Sequence, residues 1–350
     1  MRKQLAGYGK PTMAEIAAIA GVSKPTVSKV MNGQPGVASR TRERVERVIA
    51  ERGYVRHGAA RALSAGRTGA VNLVVKELDN PYFAEIIRGV EETLERAGLS
   101  MILTATHDEE RRHRRWMARV IEYGTDGAIL VLPDEQVAHL ELLRSRGIPM
   151  ALVDDRGEIP PDVASVGATN FAGGFAATEH LVSLGHRRIA IIGGPSFKST
   201  RERVAGYRTA LQEAGVEVDP RLHQPGGFVA ETGYEATRNL LGLPEPPTAI
   251  FAGNDMQAMG VYKALYEAGM RAPEDVSVIG FDDLPISRLL TPALTTVRQP
   301  VRGMGVLATQ MLLRIIAGER LETRRVEVAT SLVVRESTGP PKIDDSSRNG

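Results

Sequence analysis

Cysteine is absent from all 350 residues. That excludes disulfides, thiolate metal sites and cysteine nucleophiles, and it fits a reducing cytoplasm. No apolar run approaches the ~18–20 residues of a membrane span, so no membrane partner is expected. The opening "MRKQLAGYGKPTMAEI" has basic residues but neither a continuous apolar core nor a small-residue cleavage site, so no secretory leader is expected. Catalytic signatures are missing too. "IAIIGGPSFKS" (189–199) is a strand followed by glycines, without the G-K-[ST] of a phosphate loop or a G-x-G-x-x-G. There is no G-x-S-x-G and no H-E-x-x-H. His107 and His113 flank "DEERR" at a spacing that matches no metal signature, "RRHRR" (111–115) reads as a solvated helix face, and His180 and His186 read as structural. No cofactor or metal is expected, and an enzyme reading has no nucleophile, base pair or ligand set to stand on.

What is present is ordinary in bulk, at 42% hydrophobic and 25% charged residues. The net charge of +2 hides an asymmetry. Residues 1–68 hold 13 basic and 4 acidic residues, the remainder 31 and 38. A basic head on an acidic body suits a polyanionic partner. A solvated basic surface explains the same charges equally well.

Thr12-Met13-Ala14-Glu15 is a capping-box pattern that opens a short helix, with Ile16, Ala17 and Ala20 on one face and Gly21 as its stop. Ser23 caps a second helix over about Lys24 to Met31. Pro25 falls in its first turn, where the N–H groups have no intrahelical partner, so it breaks nothing. Val27, Val30 and Met31 face inward, and Asn32-Gly33 stop the helix. A third helix begins near Ser39, carries Val45, Val48 and Ile49 on one side, and is followed by Gly53. Helix, tight turn, helix is a helix-turn-helix. "YVRHGAARALSAGRTGA" (54–70) follows; Ala59 to Leu63 can be helical but cannot hold a helix alone in water. It reads as a hinge or as an ordinary linker.

The rest repeats one phrase: Leu, three residues, Gly, then an apolar strand. It occurs at Leu94–Gly98, Leu143–Gly147, Leu181–Gly185, Leu211–Gly215 and Leu265–Gly269. Leu is the last core residue of a helix and Gly its left-handed stop. Strands are expected at Val71–Val75, Met101–Ala105, Ala128–Leu132, Ala151–Val153, Ile189–Ile192, Ala249–Phe251 and Ser277–Phe281. Alternating strands and helices imply parallel sheets covered on both faces, and the length implies two α/β lobes. Ligands of such sheets bind beyond the carboxyl ends of the strands. The residues there are Asn80, Tyr82 and Phe83, Asp154 and Asp155, Asn254 and Asp255, and Asp282 and Asp283. That set suits a neutral polar ligand such as a sugar or nucleoside. Asp255 is equally placed to cap the next helix, Asp283 to cap or face solvent, and Tyr82 and Phe83 to fill lobe core. Asp282 is the residue on which the cleft reading leans most.

"TMAEIAAIAGVSKPTVSKVMNG", "ARALSAGRTGAV", "NPYFAEIIRGVEETLERAG", "HLVSLGHRRIAIIGGP", "RVAGYRTAL", "NDMQAMGVYKALYEAGMRAPEDVSVIGFDDLP", "LTTVRQP" and "LVVREST" occur in this order. Together they resemble the LacI/GalR family of bacterial transcription regulators over residues 10–338. The resemblance implies an all-α helix-turn-helix headpiece ahead of a two-lobed, periplasmic-binding-protein-like α/β body with parallel sheets. It implies a cytoplasmic, nucleoid-associated homodimer on near-palindromic operator DNA. The implied division is 1–57 headpiece, 58–68 hinge helix and linker, 69–338 body and 339–350 disordered tail. Within the body it is about 69–168 and 300–328 for the N-lobe, and about 169–298 and 330–338 for the C-lobe.

The resemblance also implies residue roles. Lys24, Pro25 and Lys29 lie at base-contacting positions, and Thr12, Thr26 and Ser28 at phosphate or sugar contacts. Asn32 and Arg61 join the DNA-contacting set, and Leu63 matches a hinge leucine that wedges into the minor groove. Tyr82, Phe83, Asp154, Arg203, Phe228, Asn254 and Asp282 line the effector cleft, which takes a sugar or a nucleoside-like molecule. Two positions depart from the family pattern. Arg56-His57 and then Gly58 stand where Pro-Asn is usual, and Thr169-Asn170 where Asp-Asn is usual. The tail "GPPKIDDSSRNG" has no leucine heptads, so a dimer is expected. The competing reading of the body, a solute-binding protein for sugar transport, would need a leader and no basic head.

Overall fold

The computed structural model describes residues 11–54, 67–107, 110–131, 137–154 and 159–342. Expectations placed on Arg56, His57, Gly58, Arg61, Leu63, Leu132 and Asp155, and on 343–350 of the tail, lie outside these residues. The chain divides into two compact units, Met1–Thr68 and Gly69–Gly350.

The first unit has three helices: α1 (Met13–Ala20), α2 (Lys24–Met31) and α3 (Ser39–Arg52). The reciprocal Thr12–Glu15 capping box forms, and Gly21 ends α1 at φ 61°. Ser23 Oγ accepts the Thr26 N–H, and Pro25 is the second residue of α2. Helices of eight residues are marginal alone in water. These hold because Ile16, Ala17, Ala20, Val27, Val30, Val45, Val48 and Tyr54 share one core, each large apolar side chain contributing about 1.5–3 kcal/mol on burial. Arg42 of α3 donates to the carbonyls of Val30 (3.3 Å) and Gln34 (2.7 Å), satisfying the C-terminal end of α2 and fixing its direction.

The second unit begins β1 (Ala70–Val75), α4 (Pro81–Arg96), β2 (Ser100–Ala105), α5 (Glu110–Tyr123), β3 (Gly127–Val131), α6 (Val137–Ser145), β4 (Met150–Val153) and β5 (Ala164–Ala168). It continues with α7 (Asn170–Ser183), β6 (Ile189–Ile192), α8 (Lys198–Glu213), β7 (His223–Gln224), α9 (Ala230–Leu241), β8 (Ala249–Ala252), α10 (Asp255–Glu267) and β9 (Ser277–Asp282). It ends with β10 (Thr295–Arg298), α11 (Val301–Ile316), β11 (Arg325–Val328) and β12 (Ser331–Val333).

Two six-stranded sheets result, ordered β11-β5-β4-β3-β1-β2 and β12-β10-β9-β8-β6-β7. All described pairings are parallel except β12 on β10. The first sheet with its helices is the N-lobe and the second the C-lobe. The chain crosses between them after β5, between β10 and α11, and between β11 and β12.

The Leu-x3-Gly phrases end helices as their chemistry requires. All five leucines are buried and all five glycines have positive φ. In each, the N–H after the glycine returns to the leucine carbonyl, as in Leu99 to Leu94 and Met270 to Leu265 (both 2.9 Å). The seven expected strands form, some with ends shifted by a residue. β5, β7, β10, β11 and β12 were not among them. They have two to five residues, and β11 and β12 are edge strands with mixed polar faces, so they lack the apolar run that betrays a central strand.

One close helix crossing sets the site. A Cβ on Gly206 would lie 2.2 Å from the Phe171 carbonyl oxygen, and one on Gly174 would lie 2.3 Å from that of Arg203. The two glycines let α7 and α8 touch backbone to backbone, which brings Arg203 beside the start of α7. Gly206→Ala forces the helices apart and should lower body stability by about 1–3 kcal/mol, read as a shift in urea midpoint. An unchanged midpoint would contradict the crossing.

Candidate functional site

The carboxyl ends of β1, β4, β8 and β9 and the segment ahead of α8 face a cavity of about 270 Å³. Tyr82, Phe83, Asp154, Arg203, Phe228, Asn254 and Asp282 all line it. So do Lys76, Glu77, Asn80, Phe197, Ser199 and Gln299. Asn80 also caps α4, accepting the Tyr82 N–H at 3.0 Å. Tyr82 and Phe83 serve both readings offered for them, because they belong to the N-lobe core while also forming cavity wall.

Three donor side chains on this wall bond to the protein. The Arg203 guanidinium donates to Asn170 Oδ1 (2.9 Å) and to the Gly253 carbonyl (2.6 Å), and its remaining terminal nitrogen lies 3.9 Å from Asp282 Oδ1. It also stacks 3.7 Å from the Phe281 ring centroid, with Phe228 at 5.7 Å. Asn254 Nδ2 donates to the Phe228 carbonyl at 3.3 Å. The Tyr82 hydroxyl donates to Asp154. Burial, and then the Asp154 charge, raise the Tyr82 phenol well above its usual range, so it stays a neutral donor.

The acceptors beside them are a carboxyl and an amide. Asp282 Oδ1 receives Gln299 Nε2 at 2.6 Å. Gln299 Oε1 is buried with no partner among the described residues. Burial lifts the Asp282 carboxyl to about 7, against the opposing pull of Arg203.

The two neighbouring acids have other work. Asn254, not Asp255, caps α10: its side chain accepts the Gln257 N–H and Gln257 returns the bond. Asp255 is fully buried and clamps the lobe, accepting the Thr296 hydroxyl (2.6 Å) and the Leu284 N–H (2.8 Å). Asp283 neither caps a helix nor faces solvent. Its carboxylate is buried and takes Arg335, Arg298 (2.6 Å) and, more distantly, Arg288 (3.7 Å). Burial works to raise its pKa, and the hydrogen bonds from Arg335 and Arg298 outweigh that and lower it. His186 is structural as expected, reaching Thr248, Ser277 and the Gly339 carbonyl.

Sequence reasoning missed Gln299, Phe197 and Ser199. Gln299 stands inside "LTTVRQP", and Phe197 and Ser199 inside "IAIIGGPSFKS", but neither phrase marks them as cavity residues. The Thr169 departure has a local reason. Thr169 Oγ1 accepts the Thr330 N–H and meets the Thr330 hydroxyl, both at 3.0 Å, joining two of the three crossovers.

On the first unit, Lys24, Pro25, Lys29 and Asn32 are exposed, with Ser28 half-buried between them. Their spacing puts them on one side of α2, away from buried Val27 and Val30. Thr12 is exposed at the start of α1, and Thr26 is half-buried with its hydroxyl 2.9 Å from Ser23 Oγ.

Comparison with known proteins agrees with this architecture. Residues 12–57 match the family described as bacterial regulatory proteins, lacI family, and residues 178–338 match a periplasmic binding protein-like domain. The ribose operon repressor of Escherichia coli (strain K12) is 34% identical over 327 residues, which is 93% of this chain and 99% of the relative. A solved complex of the transcriptional regulator CelR with cellobiose is 36% identical with a TM-score of 0.73, covering 93% of this chain and 99% of that one. The lac repressor dimer bound to operator and the anti-inducer ONPF is 27% identical with a TM-score of 0.85, covering 94% and 99%. With a helix-turn-helix unit, a two-lobed body and relatives alike over almost their whole length, the chain belongs to the lacI family of bacterial regulatory proteins.

Proposed function

We propose that this chain is an operator-binding transcriptional repressor, acting as a cytoplasmic homodimer, whose DNA affinity is controlled by a neutral polyhydroxylated effector in the body cavity. The observation that carries the effector class is the mixed polarity of the wall. Tyr82 and Asn254 donate to the protein, Arg203 keeps one terminal nitrogen 3.9 Å from Asp282 Oδ1, and Asn80, Ser199 and the Asp282 carboxyl share the lining. A sugar hydroxyl group both donates and accepts and so matches such a wall, while an anion meets buried carboxylates. The aromatic rings give the cavity apolar faces. Phe197 and Phe228 are inclined at 58°, and Tyr82 and Phe83 at 85°, so neither pair forms parallel walls.

The DNA half of the reading rests on the exposed Lys24–Asn32 side of α2. Lys29 and Lys24 donate to guanine O6 and N7, and Pro25 offers apolar contact to a thymine methyl. Thr12, Thr26 and Ser28 meet the sugar-phosphate backbone, and the remaining basic residues make binding salt-dependent. A dimer reads two half-sites. Edge strand β2 supports self-association, since Ile102 and Leu103 are 45% and 38% exposed on it. No helix among the described residues is long and apolar enough to cross a membrane.

The test begins with selection of bound sequences from random duplex DNA by the full-length protein. Ribose, glucose, cellobiose, adenosine and hypoxanthine are then screened by thermal shift and by their effect on operator affinity. A sugar should raise the melting temperature and change operator binding. A response to the purines alone would reject the effector class, and failure to enrich any sequence would reject the DNA reading.

A further inference from the structure

A second cavity, of about 580 Å³, lies between the segment after β9 and the start of α11, with Glu85 of α4 on its N-lobe side. Asp282 and Gln299 line both cavities and stand between them. The second has its own chemistry. Leu284, Pro285, Leu289 and Pro300 give it an apolar side, and Arg288, Arg298 and Arg302 give it three cations.

These guanidiniums carry donors that the described residues do not use. Arg298 donates only Nε, to Asp283 at 2.6 Å. Arg288 comes within 3.7 Å of Asp283, beyond hydrogen-bond distance. Arg302 gives one terminal nitrogen to Glu92. The nearby carboxylates do not balance the cations, because Asp283 is shared with Arg335 and Glu85 takes Arg88 at 2.8 Å. The Asp283 side chain is buried and those of Arg288 and Arg298 are exposed, so it anchors them from beneath. The start of α11 adds two donors. Pro300 is its N-cap, no side chain caps it, and the N–H groups of Arg302 and Gly303 have no partner among the described residues. Packing does not require Gly303. A Cβ there would meet only Pro300 Cβ, at 3.5 Å, whereas one on Gly305 would lie 2.6 Å from the Ile86 carbonyl oxygen. The missing side chain leaves the first turn of α11 open to the cavity.

We infer that the second cavity is a phosphate site, taking the free ion or the phosphoryl group of a small molecule between Arg288, Arg298 and the first N–H groups of α11. Planar guanidinium forks match phosphoryl oxygens in geometry and charge, and a helix start favours an anion. The apolar side receives the carbon skeleton of a phosphorylated ligand. The inference stands apart from the sugar reading of the first cavity. Its consequence for control follows from position. Arg288 and Arg298 belong to the C-lobe and α11 to the N-lobe, so an anion between them favours the lobe arrangement that keeps them together. Such a ligand is a second input to the same lobe equilibrium, and its coupling to a ligand of the first cavity is reciprocal.

The test is calorimetric titration of full-length wild type, Arg288→Gln and Gly303→Asp with inorganic phosphate, ribose 5-phosphate and ribose at two salt concentrations. Wild type should bind the phosphate-bearing probes, more weakly at the higher salt. Arg288→Gln should weaken them roughly twofold to fivefold, the share of one exposed charge. Gly303→Asp should weaken them about tenfold or more, since a carboxylate then meets the phosphoryl group at short range. Aspartate has room there and suits the first turn of a helix, so both variants should keep the wild-type melting temperature. Ribose lacks the charge and should not distinguish the three proteins. Tighter binding of ribose 5-phosphate than of inorganic phosphate, with this variant pattern, assigns the site to a phosphorylated sugar, and equal binding assigns it to the free ion. No binding of either phosphate-bearing probe by wild type, or equal affinity in all three proteins, would overturn the inference.

Discussion

Asp282→Asn leaves operator affinity in the absence of effector unchanged and removes the effector's influence on it. Asp282 is buried between Arg203 and Gln299, facing the first at 3.9 Å and accepting from the second at 2.6 Å. A hydrogen bond from ligand to a charged acceptor contributes about 1.5–3 kcal/mol. Effector affinity should therefore fall roughly tenfold to a hundredfold, below the level at which it redistributes the lobes. Asparagine keeps the shape and an oxygen that accepts from Gln299. Alanine removes the counter-charge of Arg203 just as asparagine does and in addition leaves a void, so the two variants separate loss of recognition from loss of packing.

The pH dependence has two opposite signs. The Asp282 carboxyl is raised by burial from 3.8 to about 7 in the folded protein. Its contribution to stability is therefore fully present below the unfolded value and is lost as pH rises through about 7. Ligand binding runs the other way, because the ionised form is the better acceptor. Wild-type affinity for a neutral sugar should rise with pH through about 7 while the ligand-free melting temperature falls. Both slopes should flatten in Asp282→Asn. Operator affinity without sugar that fell with the substitution, or a sugar response that survived it, would remove Asp282 from the cavity's function.

How much of this was legible in the sequence depends on the distance over which each residue acts. Leu94–Gly98 and its four counterparts carry a complete local device, an apolar anchor and a left-handed stop, so the helix ends and the strands after them could be placed. The acids at strand ends could be found for the same reason, but their roles could not. Asp282 and Asp283 are adjacent, with φ of 117° and 55°. That turn sends one carboxylate to Gln299 and the other to Arg335 and Arg298, which stand 52 and 15 positions further on. Thr169 read as a departure because threonine stands where the family usually has aspartate, and its partner Thr330 is 161 positions away. Gln299 stands inside the family phrase "LTTVRQP" but nothing in that phrase marks it as a cavity residue. It reaches the cavity because the chain crosses back between lobes beside it, which only the assembled topology reveals.

Lys29→Ala should cost roughly 1–3 kcal/mol on the best operator and relax the preference at one base position in each half-site. α2 is short, and its direction is set by the Ser23 cap at one end and by Arg42 on the Val30 and Gln34 carbonyls at the other. Its inner side is spent on Val27 and Val30, so Lys29 has no part in the core. The ammonium carries three donors and no acceptor, which suits guanine O6 and N7 and not the donor edge of cytosine. Pro25, one turn earlier on the same side, narrows the choice at its own position to bases that present an apolar group. Lys29 also lies in the last turn of α2, where a cation favours the helix dipole by about 0.3–1 kcal/mol. The melting temperature should therefore be followed alongside binding, to separate a frayed helix from a lost contact. The decisive measurement is affinity for a set of operators with matched single-base changes in both half-sites, at two salt concentrations. Relaxation confined to one position identifies base reading. Equal weakening on every sequence, with a shallower salt dependence, would make Lys29 a phosphate contact and move sequence choice to Lys24 and Pro25.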